Sequence, residues 1–103
     1  MSDTATKNPL LLATIRVTKD IVYRDFPSET VVLNLQTGQY HGLNPTAGEM
    51  LAALDETGSV EAAAKQMAER HEVDVAAVLA DMCALCEKLS ERGLIEIEPA
   101  AAQ

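Results

Sequence analysis

The stretch Val31–Pro45, VVLNLQTGQYHGLNP, decides how this chain folds. It reads as two short strands joined by a tight turn, running straight into a capped helix. Val31, Leu33 and Leu35 alternate along one face of the first strand, with Val32 and Asn34 on the other. A two-residue loop at Thr37-Gly38 would force a positive φ on a β-branched Thr. A three-residue loop, Gln36-Thr37-Gly38, leaves the left-handed position to Gly38. That loop pairs Leu33 with His41 and Val31 with Leu43, and sets Leu43 on the face of the apolar series. The second strand, Gln39 to Leu43, meets no later strand to pair with, so the sheet ends on a usable edge. Asn44 then supplies an N-cap and Pro45 the first helical position.

Towards the N-terminus, Ile21 to Phe26 is β-branched and aromatic enough to be a further strand, closed by the turn Pro27-Ser28-Glu29. Ile15 and Val17 alternate loosely before it, and residues 1–12 read as a flexible arm interrupted by Pro9. Towards the C-terminus three helices follow. Ala47, Met50, Leu51 and Leu54 repeat at helical spacing up to Gly58. Ser59 caps a second helix with Val60, Ala63, Ala64 and Met67 on its inner stripe. Asp74 caps a third that stops at Gly93, with Val75, Val78, Leu79, Met82, Leu85, Cys86 and Leu89 as its stripe. Leu94-Ile-Glu-Ile-Glu98 alternates like a short last strand, and residues 99–103 read as a disordered tail. The expected architecture is α+β: an N-terminal three-stranded antiparallel sheet followed by three helices, winged helix-turn-helix in outline, in one domain over residues 13–98.

The 103 residues suffice for one domain. Nearly half are apolar but only 3% are aromatic, so the core rests on aliphatic side chains. No run is long enough to span a membrane, no secretory signal precedes the domain, and two late cysteines make no disulfide framework. A cytoplasmic chain is expected. The charge of −8 is unevenly placed. Residues 1–43 hold four bases and four acids, whereas residues 44–103 hold four bases and twelve acids. The third helix carries Asp74, Asp81, Glu87 and Glu91 against Lys88 and Arg92. Such a surface is a poor partner for phosphate backbones, which argues against a DNA-binding use of the winged outline.

Chemistry-bearing groups are sparse. Cys83 and Cys86 form a C-x-x-C, but a zinc site needs two further ligands at similar spacing, and His41 and His71 are isolated. The pair lies within a helix, unlike a redox pair at a helix start, and Cys86 falls in the apolar stripe, where cysteine packs as a small hydrophobe. His71 reads as a solvated loop residue, and His41 sits on the edge strand. No phosphate-binding glycine loop is present, so neither catalysis nor a cofactor is expected. The third helix does stand out: Ala76, Ala80 and Cys83 widen its apolar arc beside Leu79. With the strand edge opposite, that arc makes a groove for an extended peptide, and Gly42 allows close backbone approach.

The run LNLQTGQYHGLNPTAGEML, then SVEAAAKQMAERHEVD, then LSERGLI resembles PqqD-type proteins. These RiPP recognition elements bind leader segments of ribosomally made peptides, and the likeness covers residues 14–97. Within the group the chain is most similar to the standalone recognition protein of lasso-peptide clusters, and it lacks the second-strand Pro of coenzyme PQQ cluster members. The resemblance implies a non-catalytic protein that takes a leader strand on Gln39, Tyr40, His41, Gly42 and Leu43. It implies a cleft side formed by Val75, Leu79, Met82 and Cys83. It also implies delivery of the precursor peptide to a leader peptidase and a cyclase.

Overall fold

The computed structural model describes residues 9–99; the outer parts of the expected arm and tail, residues 1–8 and 100–103, lie outside the described residues. Five strands and three helices follow in order: β1 (Thr14–Val17), β2 (Ile21–Phe26), β3 (Glu29–Asn34), β4 (Tyr40–Leu43), α1 (Pro45–Thr57), α2 (Val60–His71), α3 (Val75–Glu91) and β5 (Ile95–Glu98). The chain is α+β, with β2, β3 and β4 in one antiparallel sheet ahead of the three helices. β1 stays out of that sheet and pairs with β5, Thr14 opposite Glu98 and Val17 opposite Ile95. Within the expected arm, Pro9–Leu11 form a short 3-10 turn that buries Leu10 against the α2 side of the domain.

The helix boundaries follow local chemistry. Asn44 accepts from the Ala47 amide, Ser59 from that of Ala62 and Asp74 from that of Ala76, each supplying an acceptor to an otherwise unpaired first-turn N–H. Gly58 ends α1 at φ +69, a left-handed conformation that costs glycine nothing. The inner stripes then meet: Leu51, Leu54, Val60, Met82, Cys86, Leu89 and Leu94 are fully buried, with Val32 of β3 beneath them. Tyr23 ties β2 to the end of α1 by donating its hydroxyl to Asp55 Oδ2 at 2.7 Å.

The β3–β4 register differs from the expectation by one residue. Leu33 faces Tyr40, Val31 faces Gly42, and Leu43 faces Thr30. Asn34 is the cause. Its side-chain oxygen accepts from the amides of Gln36 and Thr37, and its carbonyl accepts from Gly38. This local bonding lengthens the loop to four residues, Leu35 to Gly38, with Gly38 left-handed as expected at φ +78. The core face of β3 is inverted too. Val32 and Thr30 are buried, whereas Leu35 is exposed in the loop. Because both differences act together, Leu43 still faces the core.

One close approach holds the sheet to the helices. A side chain added at Gly48 of α1 would collide with the hydroxyl and Cβ of Thr30. Thr30 is itself buried and donates to Asp25 Oδ1 at 2.7 Å, so it has little room to turn.

Candidate functional site

β4 is one edge of the sheet, β2 being the other, and is unpaired on its outer side among the described residues. Asn34 donates to the Gln39 carbonyl, which marks their pair as hydrogen-bonded. Bonded and non-bonded pairs alternate along antiparallel strands. His41 and Leu43 therefore direct their backbone groups at β3, while the N–H and C=O of Tyr40 and Gly42 point outward. Of the five expected edge residues, these two can pair with an added strand. Gln39 lies just ahead of β4, its carbonyl bonded to Asn34 and its amide to Thr37 Oγ1. The side chains divide the other way: half-buried His41 and buried Leu43 face the helices, and exposed Tyr40 faces outward.

Past the end of β4, a trough runs between the start of α1 and one flank of α3. One part, about 320 Å³, is lined by Thr46, Met50, Met67, His71, Val73, Ala77, Val78 and Asp81. A second part, about 300 Å³, is lined by Asn44, Thr46, Ala47, Met50, Asp81, Ala84, Leu85 and Lys88. Thr46, Met50 and Asp81 belong to both, so the two parts adjoin.

The four expected α3 residues do not gather at this trough. Val75 and Leu79 line a separate groove of about 430 Å³ against Ser59, Ala62 and Lys65 at the start of α2. Met82 is fully buried in the core, and Cys83 is half-buried on the far flank. Ala76 and Ala80 are exposed. The residues that border the trough, Asp81, Leu85 and Lys88, recur at i, i+4 and i+7. Of these only Leu85 belongs to the expected apolar stripe, and the expected Val75 and Leu79 lie on the other flank, beside α2.

Polar groups brace the trough. Glu49 of α1 accepts from Arg70 at 2.7 Å and lies 2.9 Å from His71 Nε2, so His71 is paired across two helices and is no bare loop residue. Burial alone would raise the Glu49 carboxyl, but the hydrogen bonds from His71 and Arg70 outweigh it and hold the group below its ordinary value. A depressed carboxyl contributes stability above its unfolded-state range, lost as pH falls through the folded value. In Glu49→Gln the deficit in Tm should therefore hold at neutral pH and shrink towards pH 3. Thermal melts across that range check it, and a deficit independent of pH would show that the charge is irrelevant.

The cysteines lack reactive character. Burial pushes the Cys86 thiol up to about 12, helped by Cys83 and Glu87, and burial raises Cys83 too. Among the described residues no cluster of His, Cys, Asp and Glu could hold a metal ion. No described helix is long and apolar enough to cross a membrane.

The sheet's outer face is a second surface. Val22, Arg24, Phe26, Val31 and Leu33 line a shallow cavity of about 290 Å³ there. Val22 and Phe26 are about half exposed, and Tyr40 continues the face to the β4 edge.

Comparison with known proteins bears on this geometry. The family described as coenzyme PQQ synthesis protein D matches residues 29–95. No curated protein matches at a significant level. Two solved structures are similar. One, described as TbiB1 in complex with the TbiA(beta) leader peptide, shares 25% identity at a TM-score of 0.69, covering 85% of this chain and 99% of that one. The other, lasso peptide synthetase B1 complexed with the leader peptide, shares 26% identity at a TM-score of 0.70, covering 82% and 99%.

Proposed function

Because the chain belongs to the PqqD family, we propose that it recognises the leader segment of a ribosomal precursor peptide in lasso-peptide biosynthesis. The leader adds as a strand to β4 through the outward backbone groups of Tyr40 and Gly42. Its alternate side chains enter the trough walled by Met50, Asp81, Ala84 and Leu85. The observation that carries this reading is an unpaired sheet edge whose next residue, Asn44, already lines the trough. Both similar structures, which are complexes with leader peptides, support it. The protein performs no chemistry itself; it works in the cytoplasm, where precursors are made, and passes the bound peptide to a leader peptidase and a cyclase. We place the peptidase on the outer sheet face, because an added strand would extend that face beyond Tyr40.

The family description favours a second pathway, coenzyme PQQ synthesis, but the missing Pro in the second strand and the likeness to lasso peptide synthetase B1 weigh against it. DNA binding fits poorly with the acidic α3.

Hydrogen exchange tests the reading in two stages. Adding the precursor leader encoded beside this chain should slow the amides of Tyr40 and Gly42, with a Kd in the micromolar range or below. Those of His41 and Leu43, which bond to β3, should be slow without the leader. Adding the leader peptidase should then protect side-chain-proximal amides of β2. Unchanged exchange at Tyr40 and Gly42 would refute strand addition, and unchanged β2 would refute the docking face.

A further inference from the structure

Asp81 has no structural task. It is exposed, lies nearly two turns inside α3, and forms no ion pair among the described residues. The favourable field of a helix N-terminus fades within the first turn, so the dipole does not account for an acid there. Yet it stands on the wall common to both parts of the trough, among Met50, Ala77, Val78, Ala84 and Leu85. Lys88, likewise without an ion pair among the described residues, closes the far part. The trough is thus mainly apolar in its near part and mixed in its far part, where Asn44 and Thr46 join in, with one negative and one positive point along its α3 wall. His71, which lines the near part, is engaged with Glu49, as is Arg70.

Resting on the strand-addition reading, we infer that the trough selects its guest by charge order. The guest is an extended peptide with a basic side chain opposite Asp81, an apolar one over Leu85 and Met50, and an acidic one opposite Lys88. Seven helical residues span about 10 Å. Same-face residues of a strand recur about every 7 Å, so positions n, n+2 and n+4 cover about 13 Å. Long charged side chains close the difference of about 3 Å, and their apolar stems lie along the channel. Leu85, four residues after Asp81, falls under the middle position. A guest entered in the opposite direction would set like charges together at both ends, so the charges fix direction and register where an apolar channel alone would let the strand slip.

Selection from a displayed library of random 15-residue peptides tests this, with the full chain as bait. The wild type should enrich one family with Lys or Arg at a fixed position, an apolar residue two places away, and Asp or Glu two places beyond. Asp81→Lys should enrich Asp or Glu at the first of these and bind a synthetic wild-type-selected peptide at least about 10-fold more weakly. Both residues are exposed, so the variants should melt as the wild type does. If Asp81→Lys fails to fold, Asp81→Asn should lose the basic preference without reversing it. An enriched family without charge preference, or with a preference unchanged by the substitution, overturns the charge-order inference and leaves strand addition standing. Failure to enrich any family overturns both.

Discussion

Gly42→Pro should abolish most peptide binding while leaving the domain folded. The Gly42 amide points away from β3, so the ring removes no bond from the β3–β4 ladder, and proline is tolerated on the solvent side of an edge strand. The preceding residue, His41, is already extended, as a residue before proline prefers. The one steric cost inside the domain falls on the Glu29 carboxylate, 2.6 Å from where a Cβ would stand. It is the end of a flexible, exposed side chain, and it can swing aside. The guest fares worse. It loses one backbone donor, its own carbonyl is left unpaired, and the ring occupies the line of approach. An unmade buried hydrogen bond costs about 1–3 kcal/mol, so affinity should fall roughly 10- to 100-fold. Gly42→Ala, which keeps the N–H, should bind within about 3-fold of wild type. Isothermal titration with the leader, alongside thermal melts, reads both quantities. If Gly42→Pro binds normally, the guest does not pair with β4.

The second large effect is on stability. Gly48→Ala should lower Tm, by up to about 15 °C, although helix propensity alone predicts a gain of about 1 kcal/mol. The added methyl would meet the Thr30 hydroxyl and, more seriously, the Thr30 Cβ, which moves only with the β3 backbone. α1 and the sheet must separate slightly, and such overpacking costs about 1–3 kcal/mol. Thr30→Ala removes the hydroxyl and methyl obstacles but keeps the Cβ, so the double variant should be more stable than the sum of the two single losses implies. A Gly48→Ala protein that melts at or above wild type would mean that this contact is loose.

Much of this architecture was legible because its signals are local. Asn44-Pro45, Ser59 and Asp74 each announce a helix start through a single side-chain acceptor, and the stripes that follow are strongly periodic. The β3–β4 register was not legible to the residue, because it depended on whether Asn34 would cap the loop with its side chain or remain an ordinary strand residue. The β1–β5 pairing joins segments about eighty positions apart, and nothing in either short strand names its partner. As for the site, the edge strand was readable from the absence of a later partner. The α3 flank was not. Val75 and Leu79 continue the apolar stripe, yet α2 packs against that side, and only the tertiary arrangement determines which flank the trough adjoins.

The β1–β5 pairing makes the described chain nearly circular. Partners across an antiparallel ladder sit about 5 Å apart, so the chain enters at Thr14 and leaves at Glu98 through one gate. Whatever is tethered at one end hangs beside whatever is tethered at the other. A short bridge could join the two without bending the fold, and the Leu35–Gly38 loop would then be the natural place to open the ring.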